Sequence, residues 1–137
     1  MAELLELVAR DAEAAERVAE ILRERDGDLG FMMRMLRRRP GVFVPQVLRG
    51  VQLYDAPQAL DPKTAELAAV AAAAALMCDH CLQAHLSAAQ SKGASLDEIF
   101  DVLLIAGAIA ESSTLSVALR KFRQLEGART EPRDAGA

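Results

Sequence analysis

Both cysteines and both histidines of this 137-residue chain fall within Cys78-Asp79-His80-Cys81-Leu82-Gln83-Ala84-His85. Packing does not account for such a concentration. On a helix turning about 100° per residue, with Cys78 as zero, Cys81 falls near 300°, His85 near 340° and His80 near 200°. Cys78, Cys81 and His85 therefore share one face, and His80 looks elsewhere. Two sulfurs at i and i+3 near a helix start can close a disulfide with little backbone change, and the unpaired N–H groups there stabilise a thiolate. In Cys-X-X-Cys settings the thiol pKa falls to about 3.5–7.5, so a nucleophile is available at neutral pH. His85, one turn after Cys81, is in reach to take or relay its proton.

Glu66 stands in an otherwise apolar tract over residues 65–76. A carboxylate buried there needs a partner, because burying it unpaired is costly. If the helices on either side of a break near Met77 pack antiparallel, Glu66 meets His85, orients the imidazole and raises its basicity. Blander readings exist for each residue. The blander alternatives to a redox pair are inert buried core thiols and a zinc site, for which Cys-X2-Cys-X3-His supplies three ligand types, although structural zinc wants four ligands from two segments. Glu66 can pair with Lys63 at the surface, and His80 reads as a pocket-edge or interface residue.

The elements that must hold these residues read as helices throughout. Hydrophobic residues make up 52% of the chain, aromatics only 4%, and there are 27 alanines, a composition suited to closely packed helices and poor in the bulk that strands use. The expected fold class is all-α. Residues 2–25 form an amphipathic helix with Leu4, Leu7, Val8, Ala12, Ala15, Val18, Ala19 and Leu22 on one side. A short helix over 29–38 places Phe31, Met32, Met35 and Leu36 on its apolar face and ends at Pro40-Gly41. A third covers 42–54 with Pro45 in its first turn. Asp61-Pro62 opens the next, which runs to about Leu76. Lys92-Gly93 closes the helix that carries the cysteines, with a cation for the dipole and a glycine able to turn left-handed. Ser95 and Glu98 are spaced as a capping box for a helix to about Ile109, and a last helix spans 114–126. The expected organisation is a helical arm over 1–38, a core domain over 39–126 and a disordered tail over 127–137.

Glu66, twelve residues before Cys78-X-His80-Cys81-X-X-X-His85, resembles the motif of the AhpD-like proteins of the carboxymuconolactone decarboxylase superfamily. The resemblance extends over about residues 40–125 and includes Leu60-Asp61-X-Lys63-X-X-Glu66-Leu67, Ala84-His85, Lys92-Gly93-Ala94 and Asp97-Glu98-Ile99. It implies an AhpD-like bundle of about six helices with an N-terminal helical arm, assembled as a trimer or hexamer. It also implies disulfide reductase and alkyl hydroperoxidase chemistry. Carried over by position, Cys81 is the peroxidatic cysteine and Cys78 the resolving one. Glu66 and His85 form the proton relay, His80 is auxiliary, and the reductant is a dithiol of the lipoyl type. True carboxymuconolactone decarboxylases lack the cysteine pair. Where relatives often have a glycine-rich helix junction, this chain has Ala110-Glu111-Ser112-Ser113-Thr114.

Charge and composition set the expected partners. With 16 basic and 20 acidic residues the chain carries a net charge of −4, a poor match for nucleic acid, and Arg34 with Arg37-Arg38-Arg39 reads as helix C-terminal cations. Two cysteines do not make a secreted disulfide scaffold, and residues 1–25 lack a leader pattern, so a cytoplasmic protein is expected. The longest apolar run, over 67–78, falls short of the roughly 18 residues a membrane span needs, so no membrane segment and no membrane partner are expected. No phosphate loop or other cofactor signature occurs, and no metal or cofactor is expected. The expected substrate is a small hydroperoxide or disulfide. Two other function classes stay open: an oligomeric scaffold or redox sensor, and a cofactor-free lyase or isomerase using Glu66 and His85 as acid and base. The apolar stripes of the arm and of residues 31–36 exceed what one compact unit covers, which favours a homo-oligomer.

Overall fold

The structure, a computed structural model, describes residues 12–130, and no strand occurs among them. The chain is all-α. In order it forms α1 (Ala12–Asp26), α2 (Gly30–Leu36), α3 (Pro40–Gly50) running into a π-helical turn (Val51–Asp55), then α4 (Pro62–Ala75), α5 (Asp79–Ser91) and α6 (Leu96–Thr130). These helices fall into two compact units, one up to Pro62 and one from Lys63 on.

In the first unit, Ala15, Ala19 and Leu22 of α1 meet Phe43, Val44 and Val47 of α3 around Leu29, with Val18, Met33 and Leu36 against them. Alanines at four-residue spacing let the two backbones approach, and Phe43 fills the space, fully buried. Residues 2–11, which the periodicity placed in the first helix, lie outside the described residues. Arg25 at the end of α1 reaches Asp55 of the π turn at 3.0 Å. Two expectations fail here. Pro40 opens α3 rather than ending α2, because a proline at the first helical position loses no hydrogen bond. Pro45 consequently lies inside the helix, which continues through it at the loss of one bond to the Gly41 carbonyl. The seven-residue α2 offers only Met33 and Leu36 to the core, so Phe31, Met32 and Met35 stay exposed.

In the second unit, Val70 of α4, Ala89 of α5 and Ile99 of α6 form the buried centre, flanked by Leu67, Leu82, Leu86, Ala94, Val102 and Leu103. The junction between α5 and α6 is set by local chemistry. Gly93 takes φ +88°, the Gly93 N–H reaches the Gln90 carbonyl at 3.0 Å, and the Ala94 N–H reaches that of Ala89 at 2.9 Å. Such paired bonds are a Schellman closure, with Lys92 at the C-cap. Two residues later Ser95 Oγ accepts from the Glu98 N–H at 3.1 Å, while Glu98 Oε2 accepts from the Ser95 N–H at 2.8 Å. This is a complete capping box. Lys63 at the start of α4 donates to the same Glu98 carboxylate at 2.8 Å, tying the first turns of α4 and α6 together.

The break expected at residues 110–113 is absent. Ala110-Glu111-Ser112-Ser113-Thr114 contains neither glycine nor proline, and Thr114 Oγ1 donates back to the Ala110 carbonyl at 3.0 Å, so α6 continues for 35 residues. It runs through Gly127 to Thr130, into the stretch read as tail, and residues 131–137 lie outside the described residues. Unbroken, residues Leu96–Gly127 are long and apolar enough to cross a membrane by length and composition alone, a test that the shorter run over 67–78 does not meet. Ile99 and Ala106 of this helix are buried, whereas every residue from 111 to 127 is exposed.

Candidate functional site

The end of α4 sets the cysteine pair. The Met77 N–H bonds the Ala74 carbonyl at 3.0 Å and the Cys78 N–H bonds that of Ala73 at 2.9 Å, the same paired closure as at Gly93. The left-handed position is here filled by Met77, at φ +53°, a conformation costing a non-glycine residue roughly 1 kcal/mol. The turn is so tight that Cys78, last residue of one cap, is also the N-cap of α5, with φ −89° and ψ 88°. Its carbonyl accepts the first bond of the new helix, from the Leu82 N–H at 2.8 Å.

Cys78 and Cys81 are joined as a disulfide, with Cα atoms 5.3 Å apart. Both are half-buried in the first turn of α5, where N–H groups lack intrahelical partners and favour a thiolate once the bond is reduced. Further along the same stripe stand His85, one turn after Cys81, and Lys92, two turns after His85.

Facing that stripe is Glu66 of α4, the one charged side chain buried among the described residues, at 3% exposure. It shares its face with Val70 and Ala73, four and seven residues on, so helical periodicity points it inward. Its Oε2 lies 2.7 Å from Nδ1 of His85 and its Oε1 lies 2.7 Å from Nζ of Lys92. A carboxylate accepts only, so the ring donates to it through an Nδ1 proton. The structure thus brings Glu66, His85 and the two cysteines into one unit of three helices. His80, on the exposed side of the first turn, stands apart from the Glu66 cluster. Lys92 was read from the sequence only as a C-terminal cation. Its seven-residue spacing from His85 was the available signal, since two helical turns return a side chain to the same stripe.

Among the described residues no group of three or more His, Cys, Asp or Glu side chains is arranged to hold a metal ion. On α4 and α6, Thr64, Leu67, Ala68, Ala71, Val102 and Ile105 line a shallow apolar pocket of about 310 Å³. Leu67, Ala68 and Ala71 belong to a different face of α4 from Glu66, so this pocket and the cluster are distinct features.

An all-helical fold with a cysteine pair at a helix start, backed by a buried carboxylate and an imidazole, defines a recognisable class. The family model described as the carboxymuconolactone decarboxylase family matches residues 45–124. The chain belongs to the carboxymuconolactone decarboxylase family, which includes the AhpD-like proteins. No curated protein and no solved structure gives a significant match.

Proposed function

We propose that the protein is a thiol-based oxidoreductase of the AhpD type, cycling Cys78 and Cys81 between dithiol and disulfide. The observation that carries this reading is the placing of both sulfurs in the first turn of α5, with His85 one turn away and held by Glu66. In the reduced enzyme Nε2 of His85 takes the Cys81 thiol proton. The thiolate attacks the terminal oxygen of a hydroperoxide, leaving Cys81 as a sulfenic acid and releasing an alcohol that takes up the proton. Cys78 then attacks the Cys81 sulfur, the disulfide forms and water leaves. A dithiol of the lipoyl type returns the pair to thiols through a mixed disulfide and is itself oxidised to a disulfide. His80, exposed beside the pair, serves as an auxiliary residue. The same cycle run on a disulfide substrate makes the protein a disulfide reductase. Such a cycle suits a cytoplasmic setting, where thiols are kept reduced.

The deciding experiment follows peroxide consumption with dihydrolipoate as the reductant, with mass spectrometry of the cysteine pair. Loss of turnover in Cys81→Ser is expected, and turnover surviving in that variant overturns the reading. A second reading within the family has its own support. Glu66, His85 and Lys92 form an acid–base cluster that needs no thiol, as a cofactor-free lyase or isomerase requires. Activity that withstands alkylation of both cysteines favours it.

We further propose that the protein works as a homo-oligomer, a trimer or hexamer. The support is the long exposed apolar run of α6, including Phe100, Leu104, Ile109 and Phe122.

A further inference from the structure

Met77 and Gly93 fill the same left-handed place in two helix closures of one unit, and only the glycine does so without a steric penalty. Packing returns nothing for that penalty, because Met77 is 91% exposed and Leu76 before it is 77% exposed. We infer that Leu76 and Met77 are specificity-determining residues for the thiol chemistry, forming an apolar contact beside the Cys78–Cys81 disulfide for the hydrocarbon chain of an uncharged dithiol reductant. This rests on the cycling of that pair in the proposed function.

The first support is the mismatch between backbone and burial. A non-glycine residue held in a sparsely populated conformation, with its side chain left in solvent, lowers stability, and such positions cluster where a site needs the side chain. Glycine at 77 closes the helix equally well, as Gly93 does at the next closure. What methionine adds there is a flexible apolar side chain with a polarisable sulfur, able to follow a flexible ligand.

The second support is position. Met77 is bonded to Cys78, so their Cα atoms lie about 3.8 Å apart. Cys81 is 5.3 Å from Cys78 between Cα atoms, and a molecule joined to either sulfur therefore carries its chain close to the turn. The pair is oxidised in this structure, the state whose next reactant is a dithiol. One thiolate of the reductant attacks one sulfur of the disulfide, and the other sulfur leaves as a thiolate that takes up a proton. The second thiol of the reductant then attacks the mixed disulfide, closes the reductant's own disulfide and frees the second cysteine, so two electrons pass to the pair. The mixed disulfide holds the reductant's chain at the surface that Leu76 and Met77 present. On the other side of Cys78 the exposed residues are Asp79 and His80, and the Asp79 carboxylate disfavours a reductant with an anionic group near its thiols.

The test follows reduction of the disulfide in the full chain, without peroxide, by mass spectrometry of alkylated samples. The reductants are dihydrolipoamide and dithiothreitol, a dithiol without a hydrocarbon tail. Met77→Gly is the informative variant, since it relieves the left-handed position and does not threaten the fold. It is expected to slow reduction by dihydrolipoamide about fivefold or more, and to change reduction by dithiothreitol by less than about twofold. Leu76→Ser is expected to repeat the selective loss, and Met77→Leu to stay near wild type with both dithiols. Equal slowing with both reductants, or no slowing with either, overturns the inference. So does a selective loss of reaction between reduced Met77→Gly and cumene hydroperoxide, which assigns the turn to the oxidant. A changed oligomeric state of Met77→Gly in sedimentation also overturns it, by assigning the turn to a second copy. A wild-type disulfide that neither dithiol reduces removes the thiol reading itself, an outcome distinct from a reducible pair that is indifferent to residue 77.

Discussion

Oε2 of Glu66 lies 2.7 Å from Nδ1 of His85, a contact between two helices and across 19 residues of sequence. The carboxylate is 3% exposed, so it neither solvates nor relaxes when a partner is lost. Glu66→Ala removes the buried carboxylate that Lys92 and His85 share, and a loss of about 2–3 kcal/mol of unfolding free energy is expected in urea melts. Glu66→Gln keeps the shape but loses the charge. It is expected to lower turnover by about 100-fold or more, as loss of a proton-transfer partner does. Full activity in Glu66→Gln contradicts the relay.

Met77 and Gly93 occupy equivalent places in two helix closures, at φ +53° and +88°, and only one of them is glycine. Met77→Gly removes the left-handed penalty and is expected to stabilise the fold by about 0.5–1 kcal/mol, partly offset by a looser unfolded chain. Gly93→Ala meets no atom within 4 Å, so its cost is conformational alone, about 1 kcal/mol. A pair of thermal melts moving in opposite directions checks both.

Features decided within one or two turns were legible in the sequence: the Ser95–Glu98 box, the glycine after Lys92, and the inward face of Ala15, Ala19 and Leu22. The meeting of Glu66 and His85 was legible because a lone carboxylate among alanines demands a partner and one helical stripe offered it. Lys92 was not, since its reach to Glu66 depends on how the Schellman turn aims a C-cap side chain. The continuity of α6 was missed because serine and threonine favour caps and turns in isolation, whereas Thr114 bonds back within the helix. Pro40 and Pro45 were assigned to the wrong turns for a related reason: both are compatible with a helix start, and nothing local ranks them.

Glu98 supplies the pH dependence. Its hydrogen bond from Lys63, then those of Ser95, pull its pKa from the ordinary 4.5 down to about 2. The folded value is depressed, so the contribution is present in full above about pH 4.5 and is lost as pH falls from there toward 2. Urea midpoints measured over that range are expected to decline less steeply in Glu98→Gln than in wild type. Equal slopes in the two proteins contradict the assignment.

A 35-residue helix runs about 52 Å, more than twice the length of α4 or α5, and every described side chain of α6 from 111 to 127 is exposed. Leu115 is 49% exposed, Leu119 59% and Phe122 57%, spaced at four and three residues along one stripe. In the proposed trimer or hexamer, equivalent stripes on other copies would cover this surface, and closed symmetry would do so without leaving an open end. Sedimentation at micromolar concentration is expected to show the assembly, and Leu119→Glu with Phe122→Glu to release monomers that keep their helical circular dichroism. Monomeric wild-type protein, or protein that partitions onto phospholipid vesicles instead of self-associating, contradicts the proposal.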